Sequence, residues 1–163
     1  MKVEGDRQFD VDRQLVWDVM NSPAKMAALM PGVQSFEIQD EKHWQAKVKV
    51  PLGMGLLHMT VDFEKTDERE PEFSSLKAKG NGVGAMMNMT TSFTLEPTES
   101  GTNMRWVAEV KLLGPVAAMG QRILQPVVKQ QVNQVLTALD QQVHEAATSV
   151  TASRSAPEAA QAD

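Results

Sequence analysis

PVAAMGQRILQPVVKQQVNQVLTALDQQVHEAA, residues 115–147, is the stretch that decides the architecture. Met119, Ile123, Leu124, Val127, Val128, Val132, Val135, Leu136, Leu139 and Val143 recur at helical spacing. That spacing sets them on one broad face of a long amphipathic helix. Pro126 lies inside it and predicts a kink or a local break, because its ring displaces the carbonyl four residues back. A helix with so wide an apolar face must cover a surface of matching extent.

The residues before it supply that surface as strands. Residues 3–9 read as a first strand. Asp12 is a candidate N-cap for a short helix over 13–20, and Pro23 starts a second that runs to Leu29 before Pro31-Gly32 ends it. Strands follow over 33–39, 43–50, 56–69, 72–80, 85–96 and 103–113. Trp44, Ala46, Val48 and Val50 alternate with Gln45, Lys47 and Lys49; Leu57, Met59, Val61 and Phe63 alternate with His58, Thr60, Asp62 and Glu64; Met104, Trp106, Ala108, Val110 and Leu112 alternate with Arg105, Glu109 and Lys111. One face is wet and the other covered, the pattern of an antiparallel sheet. The turns at 40–42, 51–55, 70–71, 80–84 and 99–101 are short enough for hairpins, whereas parallel crossovers need intervening helices. The expected class is α+β with a helix-grip fold: a curved antiparallel sheet of about seven strands wrapped around the long C-terminal helix, with two short helices after the first strand. Residues 1–147 form the expected domain. Residues 148–163, rich in Ala, Ser, Thr and Glu, read as a disordered tail.

Composition narrows the function. A formal charge of −5 argues against nucleic acid, since nothing here neutralises a run of phosphates. The absence of cysteine removes disulfides, thiolate catalysis and cysteine metal sites. No apolar run approaches the ~20 residues that span a bilayer, so membrane contact is expected to be peripheral. The N-terminal residues read as strand, not as a leader, which predicts a cytoplasmic protein.

Chemistry-bearing residues are sparse. Gly80-Asn81-Gly82-Val83-Gly84 is followed by a strand pattern, so it reads as a hairpin whose glycines supply positive φ or close approach, not as a phosphate loop. His43, His58 and His144 have no metal spacing, and no nucleophile or acid–base pair is visible, so no catalytic or metal-binding residues are assigned. The charged run from Glu64 to Glu72 reads as a solvated strand edge that discourages aggregation, or as a docking surface. The methionines carry more. Met59, Met87, Met89 and Met104 fall at inward strand positions, small Ala46, Ala78 and Ala108 share that face, and the chain has no tyrosine. Flexible and small side chains on a concave sheet suit a ligand-accepting interior better than a rigid core.

Several short motifs in order resemble a known family: Lys2-Val3-Glu4-Gly5, Val16-Trp17, Asn21-Ser22-Pro23, Pro31-Gly32-Val33, the glycine hairpin at 80–84, Gly101-Thr102 and Met119-Gly120-Gln121-Arg122. Together they resemble the carbon monoxide dehydrogenase CoxG-type family, in the START-like helix-grip (SRPBCC) superfamily of hydrophobic-ligand binders. The resemblance covers about residues 1–145. Family members often carry a C-terminal extension with a membrane-seeking segment, and residues 146–163 contain no such apolar stretch.

The resemblance implies a non-enzymatic carrier or adaptor for a soluble aerobic molybdenum carbon monoxide dehydrogenase. Its cargo would be a respiratory prenylquinone, menaquinone or ubiquinone, bound non-covalently and taken up during transient contact with the inner face of the cell membrane. On this reading the cavity is lined by Met26, Met30, Trp44, Met59, Met87, Met89, Phe93, Met104, Trp106, Met119 and Ile123, with Leu52 and Met54 at its rim and the quinone ring stacked on Trp44 or Trp106. The alternatives are a recruitment adaptor without a physiological ligand and a small-molecule enzyme of the same superfamily.

Overall fold

The seven strands form one antiparallel sheet in the order β1-β7-β6-β5-β4-β3-β2. They are β1 (Lys2–Phe9), β2 (Val33–Ile38), β3 (His43–Leu52), β4 (Gly55–Arg69), β5 (Phe73–Gly82), β6 (Ala85–Pro97) and β7 (Thr102–Leu113). The computed structural model describes residues 1–52 and 55–161, with the side chains of 150–161 outside that description. Strands β2 to β7 pair consecutively because each connection is a short turn. Between β1 and β2 the chain passes through α1 (Arg13–Met20) and α2 (Pro23–Leu29). This detour frees β1 to pair with β7, in register from Lys2 opposite Glu109 to Phe9 opposite Thr102. Irregularities at Val33/Ser35 and Lys65/Asp67 break the register where extra residues bend a strand.

The inward face is built from cross-strand rows. Trp44, Phe63, Ala78, Met89 and Val110 stand opposite one another in one row, and Ala46, Val61, Gly80, Met87 and Leu112 in the next. The smallest member of the second row, Gly80, lies on the middle strand of the sheet. A Cβ there would stand 2.7 Å from the Met59 terminal methyl and 3.3 Å from the Met87 Cβ. The close approach expected of this glycine is therefore to methionines on flanking strands, not to the helix.

The closing element departs from one continuous helix over 115–147. Pro115–Met119 forms a 3-10 turn, Gly120 adopts a φ of 81°, and α3 (Gln121–Gln161) begins after it. The break therefore falls at Gly120, while Pro126 sits inside α3. Its missing N–H faces an exposed first stretch of helix, where the cost is least. The backbone of α3 continues past Thr148, because the alanines that make 148–161 poor in burial also have high helix propensity.

Two apolar clusters fix α3 against the sheet. Near one end Phe9, Val16, Trp17, Val19, Leu29, Leu95, Met104, Leu139 and Val143 are buried together. Near the other, Met59, Val61, Ala78, Ala85, Val116 and Leu124 form a second cluster. Between them Val127, Val128, Val132 and Val135 on α3 are only partly buried. Arg7 on β1 reaches across to form an ion pair with Asp140 on α3, donating Nε–H to Oδ1 at 3.2 Å. That hydrogen bond outweighs desolvation and raises the guanidinium above its usual pKa. The helix is thus held at both ends and left loosely packed in the middle.

Candidate ligand cavity

The loosely packed middle encloses a cavity of about 370 Å³, within the range of small-molecule sites. The sheet forms its floor through Trp44, Met59, Phe63, Met87, Met89, Phe93, Met104 and Trp106, and α3 its roof through Val127, Val128, Gln131, Val132 and Val135. Helices α1 and α2 close one side with Met20, Met26, Leu29 and Met30. Their position is fixed locally: Ser22 caps α2 by accepting from the Lys25 amide at 3.4 Å, and the buried Trp17 indole donates to Glu70 Oε1 at 2.8 Å.

Nine of the eleven expected lining residues surround this space: Met26, Met30, Trp44, Met59, Met87, Met89, Phe93, Met104 and Trp106, with Leu52 also at the wall. Met119 and Ile123 do not. They are exposed, because the Gly120 break turns the 3-10 segment and the first turn of α3 away from the interior. Val116 and Leu124 face inward in their stead. Met54 falls outside the described residues. Within the set, Met59 and Met104 are buried, whereas Met87 and Met89 are only partly covered. The site also takes Gln131, Ser74, Thr91 and Ser92, which the apolar pattern did not flag. For Gln131 the signal was present, since a glutamine between Val128 and Val135 interrupts the apolar face of a helix.

The polar groups of the wall differ in whether they are satisfied. Thr91 Oγ1 donates to the Val107 carbonyl at 2.9 Å, and Lys65 pairs with Glu68 at 3.3 Å. The indole N–H groups of Trp44 and Trp106 are buried and find no acceptor among the described residues. Leaving such a donor unmet costs about 1–3 kcal/mol. Trp44 stacks on Phe63, with ring centroids 5.9 Å apart and planes inclined by 13°. One face of its ring is therefore already covered, and its N–H is what it has left to offer. Trp106 lies over Gly5 of β1, where a Cβ would stand 3.0 Å from its ring. The two donors stand on β3 and β7, on opposite flanks of the curved sheet.

Acid–base and metal chemistry find little here. The three histidines are exposed, and His43 is held by Asp40 at 2.9 Å. Hydrogen bonds from the Lys42 amide and from His43 lower the Asp40 pKa. Among the described residues no group of three histidines or carboxylates converges to hold a metal ion, and no helix is long and apolar enough to cross a membrane. The arrangement suits enclosure of an apolar molecule that carries hydrogen-bond acceptors.

Comparison with known proteins agrees with this architecture. The family model for the carbon monoxide dehydrogenase component CoxG matches residues 5–144. A conserved protein from Geobacillus kaustophilus superposes with a TM-score of 0.82 at 20% identity, covering 89% of this chain and 96% of its own. A protein from Thermus thermophilus gives 0.66 at 13% identity, covering 90% and 99%. One from Rhizobium leguminosarum gives 0.67 at 13%, covering 89% and 95%. At these identities the likeness is one of fold. Among curated proteins no sequence matches.

Proposed function

The chain belongs to the carbon monoxide dehydrogenase CoxG family, and from that premise we propose that it is a non-enzymatic quinone carrier, moving a prenylquinone between the membrane and a molybdenum carbon monoxide dehydrogenase. The observation that carries this reading is the pair of unsatisfied indole donors, Trp44 and Trp106, on opposite walls of an otherwise apolar cavity. A hydrocarbon tail alone would leave both donors unmet. A fatty acid would bring a carboxylate to a wall where Lys65, the one cation among the described lining residues, already has a carboxylate partner. A quinone brings carbonyl acceptors on a flat apolar ring and a tail whose burial contributes ~25 cal/mol per Å².

The chemistry assigns the carrier no bond-making role. Carbon monoxide and water give carbon dioxide, and the electrons and protons released reduce the quinone to quinol. The carrier holds the acceptor out of lipid while the dehydrogenase supplies electrons. Its methionines adapt the wall to ring and tail.

Organic extraction of the purified protein, followed by mass spectrometry, tests the reading. A co-purifying prenylquinone supports it. A protein that arrives empty, fails to take up quinone from detergent micelles and still captures the dehydrogenase would replace the carrier with an adaptor.

A further inference from the structure

Large apolar side chains stand in the open at one end of the molecule. Leu56 is 58% exposed, Val83 99%, Met86 52%, Met119 37% and Ile123 51%. They come from different turns that the register draws together. Leu56 pairs with Pro51 in the β3–β4 hairpin, Val83 caps the β5–β6 turn, and Met86 pairs with Leu113. The Val116 amide donates to the Gly84 carbonyl at 3.0 Å, tying the 3-10 turn that bears Met119 to the Val83 tip. The Leu124 amide donates to Gly120 at 3.1 Å and starts α3 beside Ile123. Beneath them Val116, Leu124, Leu52 and Leu57 belong to one apolar cluster and line the cavity as well.

Charge is sorted along the same axis. On the outer face of the sheet, toward this end, Lys2, Lys77, Lys79 and Lys111 border a shallow depression of about 510 Å³. Lys49 stands opposite His58 next to the β3–β4 hairpin, and Arg122 adjoins Ile123. Lys49, Lys77, Lys79, Lys111 and Arg122 make no ion pair among the described residues. At the opposite end the turns carry Asp40, Glu41, Glu70, Glu72 and Glu99, and the nearby cations Lys65 and Arg105 are paired with Glu68 and Glu96. A chain of net charge −5 thus keeps unpaired cations around its exposed apolar end.

We propose that this end is a docking surface for a bilayer containing anionic lipid, with Val83, Met119 and Ile123 entering the headgroup layer and the lysines on its phosphates. Exposed apolar patches with a polar rim mark interaction sites. Lysines on flexible stems at the margin of such a patch complement a plane of diffuse phosphate charge, each strengthening binding about fivefold. The inference rests on the carrier reading in one respect: a cavity wall that reaches this end would receive its cargo directly from lipid.

Co-sedimentation with vesicles of phosphatidylcholine, with and without phosphatidylglycerol, tests it. The native chain is expected to bind the anionic vesicles and to release as salt rises. Val83→Asp combined with Ile123→Asp should lower that binding at least tenfold, as should Lys79→Glu combined with Lys111→Glu. Lys42→Glu at the acidic end should leave it unchanged. Thermal melts and quinone titration in detergent micelles should match the native chain for every variant, since none of these residues lines the cavity. Equal binding to both vesicle types, or native-like binding by the apolar double variant, would overturn the proposal. So would loss of dehydrogenase capture without loss of vesicle binding, which would assign the surface to a protein. A native chain that binds quinone in micelles but no vesicle defeats docking alone; one that binds vesicles but no quinone defeats the carrier alone.

Discussion

Trp44 and Trp106 show how one missing partner separates a core residue from a binding residue. The third tryptophan, Trp17, is equally buried but has Glu70 as its acceptor. Replacing Glu70 by Ala should orphan that indole and cost about 1–3 kcal/mol in denaturant unfolding, while Glu72→Ala should change little. The cavity tryptophans should behave in the opposite sense. Benzothienylalanine keeps the bicycle and removes the N–H, so at position 44 or 106 it should leave the melting temperature unchanged or raised and weaken quinone binding about tenfold. The methionines divide likewise. Met87→Trp and Met89→Trp should fold with little loss and exclude quinone, because these side chains have open space beside them. Met104→Trp should overpack a closed cluster and lose ~1–3 kcal/mol. A thermal melt and a quinone titration on each variant read the two effects apart. Large melting losses at 87 and 89 with unchanged affinity would remove the pocket from that wall.

At the scale of elements, the strands and hairpins were legible because alternation and turn residues are local signals. Each strand falls within two residues of its sequence-based bounds. The closing helix was legible as an apolar face and wrong in its phase at the start. Gly120 breaks it, and a break of even one residue rotates everything before it relative to the rest. This is why Met119, which matched the apolar repeat, points outward, as does Ile123 in the first turn after the break. Gly120→Ala should be destabilising by about 1–2 kcal/mol in a denaturant titration, since a φ of 81° strains any residue with a Cβ even where space is open. The cavity was legible in part. Inward strand methionines can be listed from alternation, but unsatisfied indoles emerge only when every donor is matched to an acceptor in three dimensions. Glu70 illustrates the same limit: within a charged run it looks like solvent-facing edge, yet it meets a tryptophan 53 positions away.

For the whole molecule, the separation of charge matters more than its sum. With unpaired lysines at one pole and clustered carboxylates at the other, the chain is an electric dipole aligned with the direction in which its cavity reaches the apolar end. A negatively charged plane repels the net charge but exerts a torque on the dipole, and within a Debye length of ~8 Å the near pole dominates. The molecule should therefore arrive already turned, apolar tips first, and the signature should be kinetic. In stopped-flow mixing with anionic vesicles, salt should slow association more than it speeds release. Adding one negative charge at the acidic pole should alter the rate far less than removing one positive charge at the basic pole. The same alignment leaves the acidic pole facing the aqueous phase, so a protein meeting the docked carrier would encounter carboxylates first.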